Sequence, residues 1–454
     1  MRSSGGCAGE YGPAARRTLG VPVSTVARAR GLPSGGGEPP EPRPWRARHL
    51  LLAPHRLGFA LAMVLLLASG IWWALVQVDR ASGLLGLPYA FSPSVGHAAV
   101  MTFGFIPLFF SGFLFTAGPK WLRVAPPSAR ELLTPLLLQE LGWLLWLAGV
   151  HTRGWLALVG AAAACLGLGW VVLRFWLLLR RSIEPDRLHA CTVGVAGLVG
   201  VASLVLMTGA LWVDENELAN AAVSTALWGF VVMTYIAVAH RMIPFFTSDA
   251  VPMLHAWRPF WVLWVLLLAV AIEVLSVWIP WVVTESSARG WLLVRGLVEL
   301  AAGGVVLWLA AVWGLAQSLK IRLLAMLHLG FLWLGLAFVL SGVSHLWNWG
   351  TGTAVLGLAP IHALSMGCLG SLMLAMVTRV SCGHSGRALV ADRLIWTLFW
   401  LLQLAVLLRI AAALKPSSAW LITLAAVVWA GVIGVWALRL LDWYGRVRSD
   451  GRAG

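Results

Sequence analysis

The stretch AVLGLAPIHALSMGCLGSLMLAMVT, residues 354–378, continued by RVSCGHSGR, residues 379–387, decides the fold. Its first part is apolar and long enough to cross a bilayer, whose hydrocarbon needs about 20 such residues of helix. Yet it carries His362, and an ionisable side chain at membrane depth marks a functional site by default. Met366, four residues on, shares a helix face with His362, and Gly367 and Gly370 leave shallow surface beside them. A flat macrocycle would fit there. Imidazole and thioether are the usual axial ligands of haem iron, and imidazole suits copper as well. The alternative is that the small residues let two helices pack closely while the histidine hydrogen-bonds a neighbouring helix.

The rest of the chain has the same character. Of its 454 residues 60% are hydrophobic and 11% charged, whereas about a quarter of a soluble domain is charged. The composition excludes a water-soluble protein and predicts an all-α polytopic membrane bundle. Twelve stretches are long enough to span, at 57–78, 94–118, 132–150, 155–179, 188–211, 219–246, 258–283, 290–317, 323–345, 354–378, 393–412 and 419–441. Residues 1–55 form a basic tail rich in Gly, Pro and Arg with no sustained apolar period, expected to be disordered. Residues 57–441 form the membrane domain and 442–454 a second tail. The first tail lacks the apolar core and cleavage site of a secretory signal, so the first span is expected to act as an uncleaved insertion signal. Cys7, Cys165, Cys191, Cys368 and Cys382 are isolated, with no pair spaced for covalent haem attachment, so any haem is held non-covalently.

The net charge of +15 does not point to nucleic acid, because the cations gather in one set of short loops. Seventeen Lys and Arg fall in the even-numbered connections, the adjoining span ends and the C-terminal tail, against four, Arg80, Arg153, Arg289 and Lys415, in the odd-numbered ones. Both termini are therefore expected to be cytoplasmic. With that orientation the histidines sort by depth. His97, His151, His345 and His362 lie in the outer half or at outer helix ends, while His189, His240, His328 and His384 lie at inner ends or just beyond. Two layers of imidazole suit two cofactor levels, although helix-end histidines also reach interfacial water cheaply.

His97 repeats the pattern of His362, with Met101 four residues on and Gly104 after it. The pair could hold one iron from opposite sides, and the likeness of the two helices would fit a duplicated ancestor. His328 lies about 8 Å inside its span at 1.5 Å per residue and wants a partner, with His240 and His189 as candidates by depth. His384 reads as a residue of a basic loop after the span, where Cys382-x-His384 spacing could bind metal. Arg241, before Pro244, can snorkel to headgroups or hold a carboxylate such as a haem propionate. Among the buried acids, Glu299 follows Arg295 by four residues and can pair with it. Glu140 and Glu273 have no partner on their own helices and could form a proton path or pair with Arg174 or Arg409.

At these residues the chain resembles the NnrS family of membrane proteins linked to bacterial responses to nitric oxide. The segments that carry the resemblance are His97–Phe105, Arg241–Thr247, His328–Trp333 and, most specifically, His362–Arg387. It implies haem, one or two groups, and copper; the candidate ligands, read from the residues themselves, are His97, Met101, His189, His240, Arg241, His328, His345, His362, Met366 and His384. Many members read His-Ala-His-Glu-Met where this chain has His97-Ala98-Ala99-Val100-Met101, so copper is left without an imidazole and a carboxylate. The resemblance also implies the bacterial inner membrane, nitric oxide or a related small gas as ligand, and a redox partner. Two other classes share the composition: a secondary transporter of a small molecule, with a polar cavity and no iron, and a haem-copper-type redox enzyme, whose compact His-x-x-x-His pair is not visible here.

Overall fold

The computed structural model describes residues 44–251, 253–415 and 418–449. Most of the first tail, and the end of the second, lie outside them. Among the described residues twelve helices are long and apolar enough to cross a membrane: α1 Pro54–Ser82, α2 Pro93–Leu122, α3 Ala129–His151, α4 Gly154–Arg181, α5 Leu188–Trp212, α6 Asn216–Ala250, α7 Phe260–Val282, α8 Glu285–Val312, α9 Arg322–Thr351, α10 Ala359–Ser385, α11 Arg393–Leu414 and α12 Ala419–Tyr444. Each answers to one expected span. Among the described residues there is no strand, as a chain in lipid requires unless it closes a barrel, because helices satisfy every backbone group internally.

The boundaries differ where backbone geometry overrides hydropathy. α8 stops at Val312 instead of running to 317, since Gly314 adopts φ +91° and a short turn, Leu315–Ser318, comes after it. α10 starts five residues later than expected, because Leu356 and Gly357 are left-handed at φ 63° and 43° and Pro360 opens the helix. It also runs on to Ser385, where Gly386 at φ 73° closes it. Residues 379–385, expected in a loop, are therefore helical.

Both ends of the domain meet on one side, the near side. Residues 47–52, expected in the tail, form a 3-10 helix. The Arg46 N–H and the His49 Nδ1–H donate to the Gly445 carbonyl at 2.8 and 2.7 Å. The buried Arg56 guanidinium donates to the carbonyls of Tyr444 and Arg446, and the Ser449 N–H to that of Ser385. Odd-numbered helices thus leave the near side and even-numbered ones return to it.

Helix pairs approach through small residues, as expected where lipid supplies no hydrophobic drive between helices. A Cβ at Gly142 of α3 would stand 2.5 Å from the Gly160 carbonyl and 2.8 Å from the Ala164 nitrogen of α4. Backbone cannot step aside as a side chain can, so Gly142→Ala should cost about 1–3 kcal/mol by overpacking. Gly169→Ala, with nothing within 4 Å, should be neutral; thermal unfolding of the two variants in detergent checks the contrast.

Asp392 caps α11, accepting from the Ile395 N–H at 3.0 Å, and meets Arg439 of α12 at 3.1 and 2.5 Å. The Arg439 guanidinium and the capped N–H groups hold the Asp392 carboxyl below the ordinary carboxylate range. Its contribution is therefore complete above the unfolded value of about 3.9 and lost as pH falls through the lower folded value. The carboxylate is half exposed, so Asp392→Asn should cost under about 1 kcal/mol at neutral pH. The variant should also flatten the stability curve only below about pH 4, as a pH series of melting temperatures will read.

Candidate functional site

The far level is assembled by α1, α2, α10 and α11. His97 lies one turn inside α2, which bends at Gly104. Its ring stacks on Trp73 of α1 with centroids 3.9 Å apart and planes 14° from parallel, and its Nδ1 is buried without a hydrogen-bond partner. His362, Arg409 and Arg80 lie near enough to act on it electrostatically. His362 sits 2.8 Å by Nδ1 from the Leu358 carbonyl. A carbonyl only accepts, so Nδ1 carries the proton and Nε2 keeps a free lone pair. That arrangement, one ring N–H tied to backbone and the other nitrogen bare, is how ligating histidines are oriented.

Arg409 of α11 completes this level. It acts on both His97 and His362, is only partly exposed, and forms no ion pair or hydrogen bond among the described residues. A guanidinium in that setting lacks an anion. The sequence offers Arg409 only as a partner for Glu140 or Glu273. The signal available is a lone cation near the far end of an apolar span, level with the two histidines. Trp73 carries no such signal.

The other far-level histidines are differently engaged. His151 donates from Nδ1 to the Pro88 carbonyl at 2.8 Å and accepts from Trp72 Nε1 at 2.6 Å, which uses both nitrogens. His345, a predicted metal ligand, lies 2.6 Å by Nδ1 from Glu299, whose other oxygen takes Arg295 at 3.0 Å and Ser341 at 2.9 Å. Arg295 also reaches Glu273 at 2.6 Å. The predicted pair of Arg295 and Glu299 is present. Glu273, for which the sequence leaves open a proton path or a pairing with Arg174 or Arg409, pairs with Arg295, and Arg174 pairs with Glu131. Glu140 is buried with neither oxygen hydrogen-bonded.

Helix geometry also corrects the glycine face of α10. Residues 363–370 form a π-helical segment, and the extra residue rotates the remainder of the helix by about 100°. Met366, expected one turn from His362 on the same face, lies within it, partly buried against the core, as Met101 is. A Cβ at Gly367 would come within 2.7 Å of the Trp333 ring and one at Gly370 within 3.2 Å of Trp429. Indoles occupy the surface that the sequence leaves for a macrocycle.

At the near level, His240 Nε2 lies 3.1 Å from the Pro259 carbonyl and so bears its proton. Its Nδ1 accepts from His189 Nε2–H at 3.0 Å, which leaves the buried His189 Nδ1 as a lone pair with no partner. His328 joins neither. Thr247 gives its hydroxyl proton to the Ile243 carbonyl and accepts from His328 Nε2–H at 2.9 Å, so His328 Nδ1 is likewise bare and buried. Thr247 lies two turns after His240 on α6. Arg241 stacks over Trp121 at 5.2 Å.

His384 belongs to the last turn of α10, not to a loop, and its ring lies 4.2 Å from that of His55. His55 falls in the stretch expected to be tail, which hides it from a search of the spans; in fact it opens α1, is 2% exposed and has an unpartnered Nδ1. Lys120 and Arg56 act electrostatically on both rings and Arg448 on that of His384. Among the described residues no three of His, Cys, Asp and Glu gather as a metal site. Ala99 and Val100, where copper ligands are wanting, are both fully buried in the core.

A family model described as NnrS protein matches residues 49–448, nearly the whole chain. No curated protein matches it.

Proposed function

Since the chain belongs to the NnrS family, we propose that it is a haem-binding integral membrane protein of the bacterial nitric-oxide and nitrosative-stress response. Its setting in this reading is the inner membrane, with the near side cytoplasmic. The observation that carries the reading is the far level: two imidazoles with unengaged ring nitrogens and a guanidinium that acts on both and has no anion partner among the described residues. His362 is held by the Leu358 carbonyl to present Nε2, His97 is fixed by its stack on Trp73, and Arg409 would neutralise a propionate. When bound, haem supplies an iron that takes nitric oxide at an open coordination position or passes electrons when both positions are filled. His189 and His328 offer bare nitrogens at the near level for a second group, which suits electron passage from a redox partner across the bilayer. Copper held through residues 99 and 100 forms no part of the proposal, because neither side chain is a ligand.

The test is the absorption spectrum of the detergent-purified protein, expressed with ample haem, before and after dithionite and then nitric oxide. The expected result is a Soret band that shifts with the gas or, for electron transfer, a six-coordinate spectrum that does not. Absence of a Soret band overturns the reading in favour of a transporter.

A further inference from the structure

We propose that the near half of the membrane domain contains a dry docking cavity for a small apolar gas. Five helices wall it, through Phe59 of α1, Phe110 of α2, Tyr235 and Ala239 of α6, Leu327 of α9 and Val377 of α10. Its volume is about 60 Å³, against the roughly 10–15 Å³ that admits one water. Room for water is therefore present, and chemistry decides whether water enters.

A water needs two to four polar partners. The Tyr235 hydroxyl is the one polar side-chain group in the lining, and it already points to the Leu369 carbonyl at 3.5 Å. A water moved there would forfeit most of its hydrogen bonds, which costs several times thermal energy. Apolar cavities of this kind stay empty or take apolar solutes. Size then selects among those: a cavity of roughly 150 Å³ accepts benzene or xenon, so the space of about 60 Å³ here suits a solute of one or two heavy atoms. The occupant is a monatomic or diatomic gas that partitions into lipid.

The position gives the cavity a use. The turns of α6 and α9 that line it also carry His240 and His328, and Phe59 lies against the His55 ring with centroids 6.1 Å apart. Gas held here is stored beside the near-level imidazoles. The class of ligand agrees with the nitric-oxide reading but does not rest on it, because nothing in the lining requires iron.

Xenon-pressurised crystals of the full-length protein test this directly. An anomalous peak is expected between Phe59 and Val377. Ala239→Val, which adds two methyl groups into the space, should lower xenon occupancy by about tenfold, and Val377→Ala should raise it. Both variants leave every histidine in place. No peak in the parent crystals, or an occupancy indifferent to Ala239→Val, overturns the cavity. Haem with no xenon peak would remove the cavity and spare the functional reading; xenon without a Soret band would do the reverse.

Discussion

His362→Ala will lower the haem content of the purified protein by about tenfold or more, since removing even a partner that orients a ligating histidine costs 10–100-fold in affinity. The expectation rests on one hydrogen bond. With Nδ1–H fixed on the Leu358 carbonyl, the imidazole cannot turn away from the side it presents, and alanine removes both ligand and orientation. His97→Ala should act in the same direction. Arg409→Leu should weaken haem retention while leaving the band where it is, because a guanidinium beside the imidazoles sets charge and not coordination. His151→Ala should change nothing in the spectrum, both ring nitrogens being spent on Pro88 and Trp72. Pyridine haemochrome assay for haem content, beside native absorption spectra for band position, separates the four variants, and unaltered haem in both His97→Ala and His362→Ala would remove the far site.

The largest loss of stability is expected at Arg295. Its guanidinium joins Glu273 and Glu299, whose side chains are each 1% exposed. Arg295→Met takes away the cation, strands the Glu273 carboxylate and leaves Glu299 with only His345 and Ser341; breaking a buried pair in this way typically costs about 3–5 kcal/mol. The same reasoning predicts a rescue. Adding Glu273→Gln and Glu299→Gln to Arg295→Met removes the stranded charge and should restore most of the thermal midpoint, although each position is then less polar than in the parent. Melting curves of the single and triple variants decide it. A triple variant no better than Arg295→Met would show that shape, not charge, holds α7, α8 and α9 together there.

The twelve spans are legible because hydropathy alone specifies a helix that crosses lipid, and the pairing of Arg295 with Glu299 is legible because four residues make one turn. The features that escape reading depend on backbone detail and on neighbours far along the chain. The π segment at 363–370 leaves no mark in composition, yet it rotates Gly367 and Gly370 toward Trp333 and Trp429. Likewise Thr247 as the partner of His328, and Arg295 as the partner of Glu273, are choices between helices that depth alone does not fix. His97 and His362 can be set at one level from charge bias in the loops. Arg409 cannot be tied to them without knowing which wall α11 forms.

The seam between the two ends of the domain bears on how the protein is made. Arg56 emerges from the ribosome among the first membrane residues, but the carbonyls it needs belong to Tyr444 and Arg446, among the last. During synthesis the opening helix must wait, its guanidinium solvated at the interface, until eleven others have been inserted. Closure of the bundle is thereby timed to completion of the chain, and a chain that stops short of the final helix leaves Arg56 without those two carbonyls.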